Sequence, residues 1–113
     1  MSTSYNVQAA EEFIIVTLGD TIDLTYSVDE NGSAYDMTDM QLDMDINNKA
    51  GTTVKALSSA GVSPAITIST DEFNIATTAF SSSGTYYADL QVTDGTDILT
   101  IVKFTFLVEK QIT

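Results

Sequence analysis

Apolar and polar residues alternate along much of the chain. Every second position is apolar over residues 21–28, and the same alternation recurs over residues 40–46 and 84–93. A strand with this pattern buries one face and presents the other to solvent. Shorter apolar runs bounded by turn residues predict further strands over residues 12–17, 53–57, 64–69 and 98–109. The sequence therefore predicts an all-β fold, an immunoglobulin-like sandwich of about seven strands.

Turn-forming residues separate the predicted strands. Asp-Glu-Asn-Gly at residues 29–32 and Asp-Gly-Thr-Asp at residues 94–97 predict hairpin turns, because these glycine-containing segments tolerate a positive φ. Thr-Asp-Glu at residues 70–72 has the composition of a helix cap followed by an acidic first turn. We therefore expect one short helical crossover over residues 71–78, which would carry the chain from one sheet to the other.

The segment GTYYADLQV at residues 84–92 predicts a tyrosine corner. Tyr86 follows a turn glycine by two residues and opens an alternating strand. In immunoglobulin-like sandwiches such a tyrosine bonds to backbone a few residues upstream, here within residues 80–83. Antibody domains place a bridging cysteine two residues later, where this chain has Ala88. We therefore expect a core that is held by packing alone.

Composition limits the functions that the chain can have. Its 113 residues are enough for one domain, with residues 1–10 as a polar N-terminal arm and residues 11–113 as the sandwich. The absence of cysteine and histidine excludes disulfides, metal sites built on those ligands and histidine-based catalysis. A formal net charge of −12 disfavours nucleic acid and membrane partners. No signal peptide or long apolar run is evident, which indicates that the chain is made and used in a reducing cytosol, or is assembled there into something larger.

Candidate chemical sites are few. Asp43 and Asp45 lie on the outward face of a predicted strand, and Asp89 could lie across the sheet from them. Such a group could hold calcium, although a solvated acidic surface is the favoured interpretation. The serines at residues 81–83 lack a catalytic base, and residues 94–97 lack a full set of calcium ligands. We expect no enzymatic activity, no cofactor and no obligatory metal.

The first and last predicted strands are apolar on both faces. Phe13 and Ile15 alternate with Ile14 and Val16, and the segment at residues 98–108 is apolar on both sides as well. A strand with two apolar faces is usually covered on both. We expect a protein interface on the outward side, although cover by the N-terminal arm is an equal alternative. The predicted interface residues are Ile14, Val16, Leu99, Ile101 and Leu107.

Several short motifs follow one another in a fixed order. They are Gly19-Asp20-Thr21, Glu30-Asn31-Gly32-Ser33, Asp36-Met37-Thr38, Ile66-Thr67-Ile68, Tyr86 to Thr93, Val108 and Ile112-Thr113. In this order the chain resembles small immunoglobulin-like virion proteins of tailed phages, which are similar to the N-terminal sandwich of baseplate upper proteins. Asp39 departs from the resemblance, since those proteins usually have glycine there, and residues 45–48 lack their basic residue.

The resemblance implies a non-enzymatic structural component of the virion, in the tail, baseplate or fibre region. Its partners would be other virion proteins, in a homo-oligomeric or hetero-oligomeric assembly. A capsid-decorating protein and a module that binds a host-surface glycan or protein are the alternatives. A host-binding module would gather aromatic or cationic residues on the loops at one end. The aromatic side chains that we expect to be exposed, Tyr5, Tyr35 and Tyr87, are scattered instead.

Overall fold

The computed structural model describes residues 10–30 and 32–110. Within these ranges every regular element is a β-strand, whereas residues 1–9 of the predicted arm, with Tyr5, lie outside the described residues. The strands are β1 (Ala10–Thr17), β2 (Ile22–Ser27), β3 (Asp29–Glu30), β4 (Ser33–Ala34), β5 (Gln41–Asn47), β6 (Thr53–Ser58), β7 (Ile66–Ser69), β8 (Glu72–Thr77), β9 (Gly84–Asp94) and β10 (Asp97–Glu109).

The strands form two main sheets and a small hairpin. One sheet has five strands in the order β1-β10-β9-β5-β6, and the other has three in the order β2-β8-β7, while β3 pairs with β4. β1 runs parallel to β10, and the other pairs are antiparallel. The alternating side chains that face inwards from both sheets make a single apolar core. The predicted all-β sandwich is therefore confirmed.

Aromatic rings form the centre of this core. The Tyr26 ring lies 5.6 Å from the rings of both Phe73 and Phe104, so it connects the two sheets. Phe104 and Phe106 stack at 5.6 Å along β10. Offset and tilted ring pairs at such distances add stability beyond their burial. The described residues hold the sheets together by packing, as expected of a chain without cysteine.

The predicted tyrosine corner is present at the start of β9. Tyr86 is 7% exposed, and its hydroxyl donates a 2.7 Å hydrogen bond to the carbonyl oxygen of Ser82. Its ring stacks on Phe80 at 4.4 Å. Gly84 precedes it with a φ of 141°, which side chains other than glycine rarely adopt. The turn glycine and the tyrosine therefore act together to fix the entry into β9.

The predicted helical crossover over residues 71–78 is wrong. This segment contains β8, which pairs with β2 and β7. Thr70 has a φ of 56° and forms with Asp71 a two-residue turn between β7 and β8. Phe73 and Ile75 then alternate into the core. Small polar residues cap helices and also form tight turns, so the period of two after residue 71 was the stronger signal.

A bulge in β10 changes which of its side chains face the core. The pairing with β9 shifts between Thr100 and Val102, and Ile101 is the extra residue. Ile101 is only 3% exposed, Leu99 packs against the core, and Ile98 is 62% exposed. The prediction that Leu99 and Ile101 point outwards is therefore wrong, because strict alternation does not hold across a bulge.

β1 also faces the opposite way from the prediction. Ile14 and Val16 pack against the core, whereas Phe13 and Ile15 are 62% and 61% exposed. The parallel register places Ile14 opposite the buried Phe106, which fixes the inward face. The sequence does not distinguish the faces, because over residues 11–16 each alternate set of positions holds one glutamate and two apolar residues.

Tyr35 is buried rather than exposed. Its backbone N–H donates a 2.9 Å hydrogen bond to the carbonyl oxygen of Val28, which draws the segment after β4 against the end of β2. Its hydroxyl is buried and has no hydrogen-bond partner. Burial raises the pKa of the Tyr35 phenol, and the nearby carboxylates of Asp94 and Glu30 raise it further.

Candidate protein-interaction surface

The five-stranded sheet has one face against the core and one face turned away from the second sheet, which we call the outer face. Its outward positions on β1, β10, β9 and β5 are in register across the sheet. Side chains in register lie next to one another on such a surface. On the outer face, apolar positions on β1 and β10 therefore lie next to acidic positions on β9 and β5.

An apolar patch occupies the β1 side of the outer face. We define it as Phe13, Ile15, Tyr87 and Leu107. Ile15 pairs directly with Leu107, and Phe13 and Tyr87 flank Thr105 on opposite sides. Phe13, Ile15 and Tyr87 are all exposed, and Leu107 is half-buried. This places two large, mostly exposed apolar side chains on one edge strand, with a leucine and a tyrosine beside them.

An acidic cluster lies further along the same face. We define it as Asp43, Asp45 and Asp89. Asp45 on β5 and Asp89 on β9 are directly opposite each other, an arrangement that the sequence allowed if their strands paired. Asp43 accepts hydrogen bonds of 2.9 and 3.2 Å from the Gln41 side-chain amide. Like charges directly opposite each other across a strand pair reduce stability, so Asp45 and Asp89 repel each other.

The apolar patch and the acidic cluster are contiguous. Lys103 on β10 lies in register between Glu11 and Asp89, and marks the border between the two regions. One shallow depression is lined by Phe13, Tyr87 and Lys103 together with neighbouring residues. A second is lined by the acidic cluster and, again, by Tyr87. Tyr87 therefore belongs to both regions of the outer face.

The predicted interface residues only partly coincide with this surface. Leu107 lies on the outer face, while the core takes Ile14, Val16, Leu99 and Ile101. Sequence reasoning assigned the wrong alternate set of β1, and so missed Phe13 and Ile15. The signal that identifies them is the register with β10, which the sequence does not reveal. The exposure of Tyr87 was predicted from its outward position on β9.

The other candidate chemical residues have structural roles. Among the described residues, no group of three or more acidic side chains is arranged to hold a metal ion. The serine segment at residues 81–83 supplies the carbonyl oxygen of the tyrosine corner. Asp94 and Asp97 close the two-residue hairpin between β9 and β10. In residues 10–30 and 32–110 we find no helix long and apolar enough to cross a membrane.

Comparison with known families identifies the kind of protein. The BppU N-terminal domain family matches residues 1–113. The chain belongs to this family. The family is one of phage baseplate proteins, so the chain is a virion component of structural type, as the motif order predicted. Domains of this family and fold are typically non-enzymatic.

A solved structure with a similar fold supports the architecture. It is the NK cell receptor NKp44, described as a triggering partner in natural cytotoxicity. The match has a TM-score of 0.52 and 17% sequence identity, and it covers 90% of this chain and 99% of the receptor chain. At this identity the likeness concerns the immunoglobulin-like fold alone. No curated protein sequence matches this baseplate domain significantly.

Proposed function

We propose that this baseplate domain is a non-enzymatic packing module that binds another protein of the virion through the apolar patch on its outer face. The observation that carries the proposal is the exposure of Phe13 and Ile15 on the same side of an edge strand. Full burial of a large apolar side chain contributes about 1.5–3 kcal/mol, so exposed pairs of this kind are costly unless a partner covers them.

The edge position of β1 supports the same proposal. Natural edge strands are usually protected by lysine, proline or a bulge. β1 has the sequence AEEFIIVT, with no lysine and no proline, and its pairing with β10 is continuous over all eight residues. Glu11 and Glu12 give the strand charge only at its beginning. Among the described residues no strand pairs with the other edge of β1, so the remaining part of the strand has an unpaired edge and an apolar outer side.

A host-binding module is the weaker alternative. Such a module would present aromatic or cationic groups on loops at one end of the sandwich. Among the described residues the exposed aromatic side chains are Phe13 and Tyr87, and both lie on strands of the five-stranded sheet. Flat sheet surfaces with an apolar centre are typical of packing between proteins. A capsid-decorating protein would also pack against virion proteins, so the flat apolar surface does not distinguish it from a baseplate protein. Family membership favours the baseplate.

The proposal can be tested by complementation of the encoding phage with variant chains. Phe13→Asp with Ile15→Asp should abolish incorporation into purified particles, because two carboxylates would be buried in an apolar interface. Val54→Asp with Val62→Asp adds the same two charges at other exposed apolar positions and should be incorporated normally. Immunoblots of particles measure incorporation, and thermal melting of each purified chain checks folding. Normal incorporation of the Phe13/Ile15 variant would overturn the proposal.

A further inference from the structure

We infer that the virion protein bound by the apolar patch presents basic side chains, and that the acidic cluster beside the patch binds them. This inference rests on the proposed function and adds the chemistry of the partner. It predicts a partner surface with an apolar centre and lysine or arginine side chains displaced towards β5. The occupant is thus another protein, of basic character at this contact.

The position of the acidic cluster is the first argument. Tyr87 and Asp89 are two residues apart on β9, a separation of about 7 Å along a strand. Asp45 lies directly opposite Asp89, so the charges continue across to β5 on the same face. A flat partner that covers Tyr87 would extend over these carboxylates. Their charge would then have to be neutralised, since an unpaired buried charge is costly.

The repulsion between Asp45 and Asp89 is the second argument. Packing within this domain does not require two facing aspartates, because both side chains are exposed. Such a pair lowers the stability of the free domain. A cationic side chain placed between the two carboxylates would convert this repulsion into attraction. The arrangement is therefore unfavourable in the free domain and favourable in a complex with a basic partner.

The overall charge argues against a second copy of the chain as the occupant. The chain has a formal net charge of −12, with 16 acidic residues and four basic ones. Two copies that met through the outer face would bring two acidic clusters near each other. Lys103 is the basic residue in register with the cluster, and it already lies between Glu11 and Asp89. A partner with basic side chains would cover the apolar patch and neutralise the acidic cluster, whereas a second copy would cover the apolar patch only.

The test measures how strongly variant chains are held in particles. Asp45→Asn with Asp89→Asn removes two charges and keeps the side-chain shape. Asp29→Asn with Glu72→Gln removes two exposed charges from strands outside the five-stranded sheet and serves as the matched control. We expect the Asp45/Asp89 variant to be incorporated roughly tenfold less than the control, the scale of effect seen for paired interface charges. The control should behave as the unmodified chain does.

Salt dependence gives a second readout, which begins with the unmodified chain. Raising the salt from about 0.15 M to about 1 M shortens the Debye length from about 8 Å to about 3 Å. The unmodified chain should therefore be released from particles as salt rises, and the Asp45/Asp89 variant should show a weaker salt dependence. Retention of the unmodified chain that does not change with salt would overturn the inference.

A photo-crosslinking amino acid at Tyr87 identifies the occupant directly. A cross-link in complete particles to a lysine-containing or arginine-containing peptide of another virion protein supports the inference. A cross-link to a second copy of the chain, or to its own residues 1–9, overturns it. If the Asp45/Asp89 variant is incorporated like its control while the Phe13/Ile15 variant is lost, the partner contacts the apolar patch without pairing with the acidic cluster. In that case the inference fails and the proposed function stands, whereas normal incorporation of the Phe13/Ile15 variant removes both.

Discussion

The hydroxyl of Tyr86 donates a 2.7 Å hydrogen bond to the carbonyl oxygen of Ser82, four residues upstream. The bond joins the beginning of β9 to the connection that comes from β8 in the other sheet. The stacked ring of Phe80 lies beside it, and Phe106 of β10 lies 5.8 Å from Phe80. Antibody domains have their second bridging cysteine two residues after such a tyrosine, where this chain has Ala88, so here the corner acts without a disulfide.

Replacement of Tyr86 by phenylalanine should therefore lower the free energy of unfolding by about 1–3 kcal/mol, because the Ser82 carbonyl oxygen loses its partner. Urea denaturation of the purified chain measures this difference. Tyr87→Phe removes the same hydroxyl from the exposed neighbour and should change stability by less than about 0.5 kcal/mol. Equal stability of the two variants would show that the corner bond does not contribute to the fold.

The corner and the alternating strands show how much of the fold the sequence determined. The inward sets of β2, β5 and β9 were all predicted correctly, because polar residues occupy the alternate positions and only one face can be buried. The segment of β8 was assigned to a helix, because its first residues favour caps and turns alike. Local propensity was the weaker signal there, and pairing with β2 and β7 determined the outcome.

Tyr35 is also a buried tyrosine, but its hydroxyl differs from that of Tyr86 in its hydrogen bonding. It has no hydrogen-bond partner, so its removal leaves no other group unpaired. We expect Tyr35→Phe to be neutral or slightly stabilising at pH 7, in contrast to Tyr86→Phe. Its effect should appear at alkaline pH, because burial and the carboxylates of Asp94 and Glu30 raise the pKa of the phenol above the ordinary value of 10.0.

The direction of that pH effect follows from proton linkage. Above about pH 10 the unfolded chain releases the Tyr35 proton while the folded chain still holds it, so the free energy of unfolding falls as pH rises. Tyr26 acts in the same direction, since burial and then Glu12 raise the pKa of its phenol. Denaturation between pH 8 and pH 11 should therefore show a smaller alkaline loss of stability for Tyr35→Phe than for the unmodified chain. An identical loss would contradict this account of Tyr35.

Calcium should have little effect on the stability of the isolated chain. A calcium site needs about six to eight oxygen ligands around one point, and the acidic cluster offers carboxylates spread along two strands of an open face. Melting temperatures measured with EDTA and with excess calcium should therefore agree. A rise of several degrees with calcium would reveal a site, because binding to the folded state alone raises stability. Asp45→Asn with Asp89→Asn would then test whether that site is the acidic cluster.

The sequence indicated that β1 and β10 have an exposed apolar surface, but it did not indicate which residues form it. It correctly indicated that β1 and β10 carry more apolar residues than one core face requires. It did not reveal the register of β1, because both alternate sets have equivalent composition. The bulge at Ile101 was also hidden, because no glycine marks it and four of the five residues at 98–102 are apolar. Both features depend on pairing between strands distant in sequence, which a local pattern does not contain.

The bulge in β10 leads to a sharp contrast between two isoleucines three residues apart. Ile101 is 3% exposed within the core, and Ile98 is 62% exposed. Ile101→Glu should therefore lower the free energy of unfolding by more than about 3 kcal/mol, because a carboxylate would be buried without a partner. Ile98→Glu introduces the same group in solvent and should cost less than about 0.5 kcal/mol. Urea denaturation of both variants compares them directly. A stable, folded Ile101→Glu chain would mean that strict alternation continues through residues 98–108 and that Ile101 points outwards after all.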